Sequence, residues 1–295
     1  MPRKAKKEKA SSYRPTNFSM KNTSLLTVAN GFILAEGKLS RDNICSMGSK
    51  TLFGQLKNDG YIKETKEQGI FKVTDKFERE FSKLTGKKIV YGGSGAGEQH
   101  SKTISDLVSI VPKSALINNE YKNGQQLITE NRQNKKTPEF KQRVYEMKQE
   151  VYRAQRESEQ AYKNIMSDSS ISAADKTKAE IEYLNQKDSL EMKEKVLNDN
   201  KRGVSSPDMQ IQLSRNEAQE YIENLREFSR QEEYCDRREQ WEETINRMEA
   251  YAQGSPEMVL TINLEVVSTN YRTIDIQAKE NWSIVYNEPV FYFDV

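Results

Sequence analysis

The chain has 295 residues, of which 35% are apolar and 31% charged, and its mean hydropathy is −0.88. This composition excludes one large spherical core and favours elongated helices with exposed charged faces beside small compact modules. No apolar run approaches the about 20 residues of a membrane span, and the first residues lack the hydrophobic stretch of a signal peptide. Cys45 and Cys235 lie far apart in the sequence. Such isolated cysteines indicate a reducing compartment, so we expect a cytoplasmic protein. The lack of a long apolar run leads us to expect that it does not enter a membrane.

Charge is distributed unevenly along the chain. Residues 1–91 contain 19 Lys and Arg against 9 Asp and Glu, a net charge of +10, whereas the remaining residues contain 27 against 35, a net charge of −8. A basic region is attracted to nucleic acid because each phosphate that it neutralises releases condensed counterions. Lysine-rich ends also improve solubility, so charge alone leaves both interpretations open.

Residues 1–21 have no apolar periodicity and are predicted to form a disordered basic arm. Seven cations stand against the single acid Glu8, and they are Arg3, Lys4, Lys6, Lys7, Lys9, Arg14 and Lys21. Such an arm is suited to follow a groove or a phosphate backbone. The alternative is a solvated tail without a ligand.

Residues 22–91 contain signals for a small folded domain. Five apolar residues at helical spacing predict a first helix, and they are Leu25, Leu26, Ala29, Phe32 and Ile33. Ser40 and Ser49 are placed to cap a short second and a longer third helix. The segments YIKET and IFKVT then predict a two-stranded hairpin, and DKFEREFSKLTG predicts a closing helix that begins at a Thr-Asp pair.

Over residues 22–88 this order of elements resembles the winged helix-turn-helix superfamily. The resemblance is clearest in LFGQLKNDGYI and GIFKVTDKFEREF. It implies that the third helix enters the major groove of DNA and that the hairpin, the wing, lies over the flanking backbone. Some domains of this superfamily bind protein instead, so the resemblance does not by itself identify the ligand.

If the domain binds double-stranded DNA, the exposed side chains of the third helix are expected to contact it. Gln55 is of the type that reads adenine edges, whereas Lys50 and Lys57 suit phosphate or guanine. The complete predicted nucleic-acid interface consists of Arg3, Lys4, Lys6, Lys7, Lys9, Arg14, Lys50, Thr51, Gln55, Lys57, Lys63, Lys66 and Lys72.

A glycine-rich segment follows the predicted domain. Residues 92–97 have the glycine spacing of a phosphate-binding loop, but Glu98 occupies the position where that loop requires a lysine, and its charge repels phosphate. We therefore interpret residues 92–137 as a hinge and a short helical segment. His100 is the single histidine of the sequence and is expected to be structural, because no partner for a metal site lies near it in the sequence. Over residues 24–131 the chain also resembles the replication-relaxation proteins of plasmids and integrative elements. The resemblance lies in the order of a winged helix, a glycine-rich turn and a histidine that opens a helix.

Residues 138–253 are predicted to form a long helical body. A heptad seam runs through Phe140, Val144, Met147, Val151, Ala154, Ser158, Ala161 and Ile165. Three long helices joined by short polar loops should fold back antiparallel or pair between chains, so a coiled-coil homodimer is plausible. Ser214 and Glu217 predict a capping box at the start of the third helix. The charge runs are interpreted as solvated faces without a catalytic constellation, so we expect neither an enzyme nor a cofactor.

Residues 254–295 change to a period of two and predict a small antiparallel sheet. The predicted strands are the segment from Met258 to Val266, then TIDIQ, WSIVY and VFYFDV. A sheet of this size requires a helix or another chain to cover it. The terminal strand is expected either to join the intramolecular core or to bind a protein partner through its edge.

The sequence thus predicts a mainly α, α+β protein with five segments, divided at residues 21, 91, 137 and 253. The favoured function is non-enzymatic DNA binding by a transcriptional regulator or a replication or partition factor of a plasmid, phage or integrative element. The alternative is a protein-binding adaptor, or an inhibitor of a nucleic-acid-handling machine, in which the winged helix contacts protein. A nuclease or relaxase is a distant third, because the chain lacks a histidine cluster and a recognisable metal-carboxylate motif.

Overall fold

A computed structural model describes residues 14–88, 98–198, 205–268 and 272–295, and these residues are mainly helical. The chain divides into two compact units, Met1–Asn119 and Glu120–Val295. In the part of the chain that the structure describes, no helix is long and apolar enough to cross a membrane. The basic residues Arg3, Lys4, Lys6, Lys7 and Lys9 and the predicted glycine-rich hinge at residues 92–97 lie outside the described residues.

The first unit consists of six helices and three short strands in its described residues. In chain order they are α1 (Thr23–Leu34), β1 (Lys38–Ser40), α2 (Arg41–Met47), α3 (Lys50–Asn58), β2 (Ile62–Glu64), β3 (Ile70–Val73), α4 (Asp75–Thr85), α5 (Glu98–Ser109) and α6 (Lys113–Asn118). The three strands form an antiparallel sheet in the order β1-β3-β2. The order of helices and the hairpin from α1 to α4 agrees with the order predicted from the sequence.

Short-range signals determine where these helices begin. The hydroxyl oxygens of Ser40, Ser49 and Thr74 accept the backbone N–H three residues further on, at the starts of α2, α3 and α4. Gly60 has φ +72° just after α3, a conformation that glycine adopts without steric cost. The least exposed large side chains of this unit are apolar, and they include Leu25, Phe32, Leu39, Ile44, Leu56, Phe77 and Phe81.

The described residues of the predicted segment 92–137 are divided between the two units. Helices α5 and α6 lie within the first unit, whereas Tyr121 and the residues after it lie within the second. The Asn43 amide of α2 donates to Ser105 Oγ at 2.8 Å and to Asp106 Oδ1 at 2.6 Å. Because all three side chains are buried, these hydrogen bonds fix α5 against the start of α2. Asn30 likewise donates from α1 to the Leu116 carbonyl oxygen at 2.6 Å.

The second unit places helices around a four-stranded sheet. Its elements are β4 (Tyr121–Asn123), α7 (Gly124–Asn134), α8 (Pro138–Ser167), α9 (Ala173–Asn198), β5 (Met209–Ser214), α10 (Arg215–Ser229), a 3-10 helix (Glu232–Arg237), α11 (Arg238–Gly254), β6 (Val259–Val267), α12 (Arg272–Tyr286) and β7 (Val290–Asp294). The strand order is β4-β5-β6-β7. The first two pairings are antiparallel and the last is parallel.

The predicted C-terminal antiparallel sheet is therefore wrong in two respects. TIDIQ and WSIVY form α12 rather than strands, and the sheet takes β4 and β5 from earlier parts of the chain. A parallel β6–β7 pair needs a crossover connection, and α12 supplies it. Val290, Phe291, Tyr292 and Phe293 are at most 4% exposed. The side chains of the terminal strand thus belong to the intramolecular core.

Strand β5 lies within residues 138–253, which were predicted to be helical, so the prediction is wrong for this segment. Its six residues alternate between apolar and polar side chains and pair with β6 from Met209 opposite Leu264 to Ser214 opposite Val259. The capping box predicted at its end is confirmed. Ser214 Oγ accepts from the Glu217 N–H, while Glu217 Oε2 accepts from the Ser214 N–H.

Helices α8 and α9 form an antiparallel hairpin within one chain. Phe140, Val144 and Val151 of the predicted heptad seam are buried together with Leu190 and Leu197. Further along the hairpin, the Tyr162 and Tyr183 rings stack with centroids 4.4 Å apart. The predicted third long helix is interrupted between α10 and α11, where the 3-10 helix packs Tyr234 between Phe228 and Trp241.

Candidate nucleic-acid interface

Helix α3 presents most of its predicted contact residues to solvent. Lys50, Thr51 and Lys57 are exposed, whereas Leu52 and Leu56 are buried on the opposite side. The Lys57 ammonium nitrogen lies 5.6 Å from the centroid of the Phe71 ring in β3. This contact, with that of Phe53 on Phe71 at 5.0 Å between ring centroids, packs α3 against the face of β3 that carries Phe71. The next residue, Lys72, points to the other face of the strand.

Three lysines stand side by side across the small sheet. Lys72 of β3 is the register partner of Lys63 in β2 and of Lys38 in β1. Register partners in antiparallel strands point to the same face, and their Cβ atoms lie about 5 Å apart. Lys63 and Lys72 are exposed, and Lys38 is half-buried. We call Lys38, Lys63 and Lys72 the lysine row.

The lysine row is only partly compensated by acids. Lys38 Nζ lies 3.6 Å from Glu67 Oε1 in the hairpin turn. Among the described residues, the ion pairs found within 4.0 Å do not include Lys63, Lys66 or Lys72. Because like charges directly opposite each other destabilise a strand pair, this arrangement favours a bound anion.

Residues 14–18 of the predicted disordered arm pack against the first unit, so the prediction of disorder is wrong for this part of the arm. Gln55 Nε2 donates to the Arg14 carbonyl oxygen at 2.9 Å, and the Thr16 N–H donates to Asp59 Oδ2 at 2.7 Å. The Phe18 ring contacts Tyr61, with centroids 4.6 Å apart. The amide nitrogen of Gln55, which was predicted to read a base edge, donates to this segment in the structure.

Except for Gln55, which is half-buried, the described residues of the predicted interface are exposed. Arg14, Lys50, Thr51, Lys57, Lys63, Lys66 and Lys72 are all exposed within the first unit. Sequence reasoning missed Lys38 as a member of this surface. Its place in the lysine row depends on the pairing of the three-residue strand β1 with β3, and a strand this short leaves no clear periodic signal.

The second unit contains a buried charged cluster at the start of β5 and in β6. Lys279 Nζ lies 3.1 Å from Glu265 Oε1. The Asp208 N–H donates to Glu265 Oε2 at 3.0 Å, and Asp208 Oδ2 accepts from the Val266 N–H at 2.9 Å. Burial, together with the neighbouring Asp208 carboxylate, raises the pKa of Glu265 to about 8 although Lys279 opposes the shift. These bonds join β5, β6 and α12, so the cluster has a structural role.

His100 lies half-buried in the first turn of α5. Within the described ranges, no group of three or more His, Cys, Asp or Glu side chains is arranged to hold a metal ion.

Comparison with models of known protein families, with curated proteins and with solved structures finds no match to this chain.

Proposed function

We propose that the first unit is a winged-helix domain that binds double-stranded DNA. Helix α3 enters the major groove, and the β2–β3 hairpin acts as the wing over the adjacent phosphates. The lysine row is the observation that carries this proposal. Three ammonium groups side by side on a sheet are unfavourable for folding alone, but they suit a phosphate backbone.

The position of Arg14 gives the proposal a second support. Its carbonyl oxygen is bonded to Gln55 in α3, so the basic arm of residues 1–21 joins the domain beside the proposed groove-binding helix. The arm then adds phosphate contacts to those of α3 and the wing. In this proposal the protein acts without catalysis in the cytoplasm, as a transcriptional regulator or as a replication or partition factor of a mobile element.

The proposal extends to a homodimer through the helical body of residues 138–253. The seam of α8 packs against α9 of the same chain, so a second copy would contact the opposite face of α9. There Ile181, Leu184 and Met192 are 55%, 48% and 48% exposed. Two hairpins paired in this way form a four-helix coiled coil and bring two DNA-binding units together.

Light scattering of the parent and of Leu184→Glu tests the proposed homodimer. A parent protein that is monomeric at all concentrations contradicts it.

Binding of random duplex DNA across a salt series tests the main proposal. We expect the affinity to fall steeply with salt, and Lys50→Ala/Lys57→Ala to weaken binding and flatten that dependence. Arg79→Ala/Lys88→Ala is the matched control, since it removes two exposed charges elsewhere in the unit. Absence of duplex binding at low salt contradicts the proposal and favours the alternative, a protein-binding adaptor or an inhibitor of a nucleic-acid-handling machine.

A further inference from the structure

One face of α8 carries cations and tyrosines in alternation. Lys141, Tyr145, Lys148, Tyr152 and Arg156 follow one another at spacings of four, three, four and four residues. Side chains at these spacings lie on the same face of a helix. At 1.5 Å per residue this row is about 22 Å long. We call these five residues the tyrosine stripe.

The acids of the same part of α8 lie elsewhere on its surface. Glu139, Glu146, Glu150 and Glu157 are spaced by seven, four and seven residues. They therefore share a second face, rotated by more than a quarter turn from the tyrosine stripe. That second face also carries Arg143 and Arg153, so its charges are mixed, whereas between residues 139 and 157 the face of the tyrosine stripe carries cations and aromatic rings without an acid.

The tyrosine stripe is open to solvent. Tyr145 is 57% and Tyr152 is 37% exposed, and Lys141 and Arg156 are also exposed. The ion pairs formed between described residues do not include Lys141, Lys148 or Arg156. Packing within the second unit therefore explains neither the two rings nor the three cations.

A cavity opens at the beginning of the stripe. It has a volume of about 250 Å³ and is lined by Lys135, Phe140, Lys141, Val144, Tyr145 and Lys148. Phe140 and Val144, at most 9% exposed, form an apolar floor, and three lysines surround it. Partial burial lowers the pKa of the Lys135 amino group. An apolar floor with cations at its margin suits a flat heterocyclic ring whose neighbours are phosphates.

We propose that the tyrosine stripe and this cavity bind single-stranded nucleic acid. The lysines and Arg156 contact phosphates, while Tyr145 and Tyr152 stack against unpaired bases. A duplex keeps its bases stacked inside, and so it leaves exposed rings of this kind without a partner. An acidic protein segment would use the cations but not the ring-sized apolar cavity. This inference goes beyond the proposed function, because it concerns the second unit and an unpaired strand.

Fluorescence anisotropy with the full-length protein and a short labelled oligothymidylate tests the inference. Tyr145→Ala should weaken binding about fivefold or more, since one stacked base is lost, whereas Tyr145→Phe should bind like the parent. Lys141→Ala/Lys148→Ala should also weaken binding and lower the slope of log affinity against log salt by about 1.4. Its matched control is Arg153→Ala/Lys193→Ala, which removes two exposed cations from other faces of the hairpin.

Three outcomes would overturn the inference. They are unchanged affinity in both stripe variants, equal losses in stripe and control variants, and displacement of the oligothymidylate by polyglutamate at equal charge concentration. The last of these would identify the stripe as a site for an acidic protein. Lys50→Ala/Lys57→Ala separates this inference from the duplex proposal, because that variant should lose duplex binding and keep oligothymidylate binding.

Discussion

Lys63 and Lys72 are direct register partners across the antiparallel β2–β3 pair, and Lys38 is the partner of Lys72 on its other side. A pair of like charges directly opposite each other in this way destabilises the strand pair. The lysine row thus lowers the stability of the free protein. A phosphate backbone would return that stability on binding, because it replaces repulsion between lysines with attraction to an anion.

The first prediction follows from this relationship. Lys72→Thr should raise the free energy of unfolding by up to about 0.5 kcal/mol, because it removes the central charge of the lysine row and introduces a β-branched residue. The same change should weaken duplex binding and lower the salt slope by about 0.9, the value for one phosphate contact. Urea denaturation and anisotropy at several salt concentrations measure the two effects. Arg79→Ala should leave the salt slope unchanged. If Lys72→Thr gains stability and keeps full affinity for duplex DNA, the β2–β3 hairpin does not contact the DNA.

The second prediction concerns Phe18, whose contacts hold the basic arm against the first unit. The Phe18 ring lies 4.6 Å from Tyr61 and 5.7 Å from Phe77, measured between centroids. Phe18→Ala should release this segment and weaken duplex binding at low salt although no charge is removed, because the arm is then no longer held beside α3. Phe18→Leu, which keeps most of the apolar contact, is the control. Removal of residues 1–13 should therefore weaken duplex binding less in Phe18→Ala than in the parent. An equal loss of affinity in both would mean that the position of the arm does not matter for binding.

Local signals located the elements of the first unit. The caps at Ser40, Ser49 and Thr74 could be predicted because each hydroxyl binds a backbone N–H only three residues away. Lys38 could not be placed, because β1 is defined by its pairing with β3 about 30 residues later. The exposed lysines of the predicted interface were therefore found individually, whereas their arrangement as a row emerged only from the fold.

The C-terminal region shows where periodicity becomes ambiguous. TIDIQ and WSIVY are short apolar segments that fit a strand or a helix equally well. In the structure Trp282 and Val285, three residues apart, lie buried on one side of α12. The parallel pairing of β6 with β7 favours a helix for these two segments, because parallel neighbours need a crossover connection between them. That pairing joins distant residues and leaves no local mark in the sequence.

The third prediction tests the attachment of α5 to the first unit. Asn43→Ala should lower the free energy of unfolding by about 2 kcal/mol, because Asp106, 5% exposed, loses a donor to its carboxylate. Hydrogen exchange should show weaker protection in both α5 and α2. Asn58→Ala, at an exposed position in α3, should change stability by no more than about 0.5 kcal/mol. Unchanged protection in α5 would mean that Asn43 does not hold the two helices together.

The fourth prediction concerns the buried Glu265 and its dependence on pH. Burial, followed by repulsion from Asp208, raises the pKa of Glu265 to about 8 from the usual 4.5, although Lys279 lies beside it. An acid whose pKa is raised by folding stabilises the folded state fully below its unfolded pKa and loses that contribution as the pH rises to its folded pKa. Between pH 4.5 and pH 8 this group alone should therefore lower the free energy of unfolding by up to about 1.4 kcal/mol per pH unit.

Glu265→Gln removes the ionisable group and keeps an oxygen that accepts from the Asp208 N–H. The stability of this variant relative to the parent should increase steadily as the pH is raised towards 8 and stay constant above it. Urea denaturation at a series of pH values gives this difference in stability, in which the titration of groups remote from Glu265 cancels. Glu243→Gln, at an exposed position of α11, should run parallel to the parent. A relative stability of Glu265→Gln that decreases with pH would mean that attraction to Lys279 outweighs burial, and that Glu265 is ionised throughout this range.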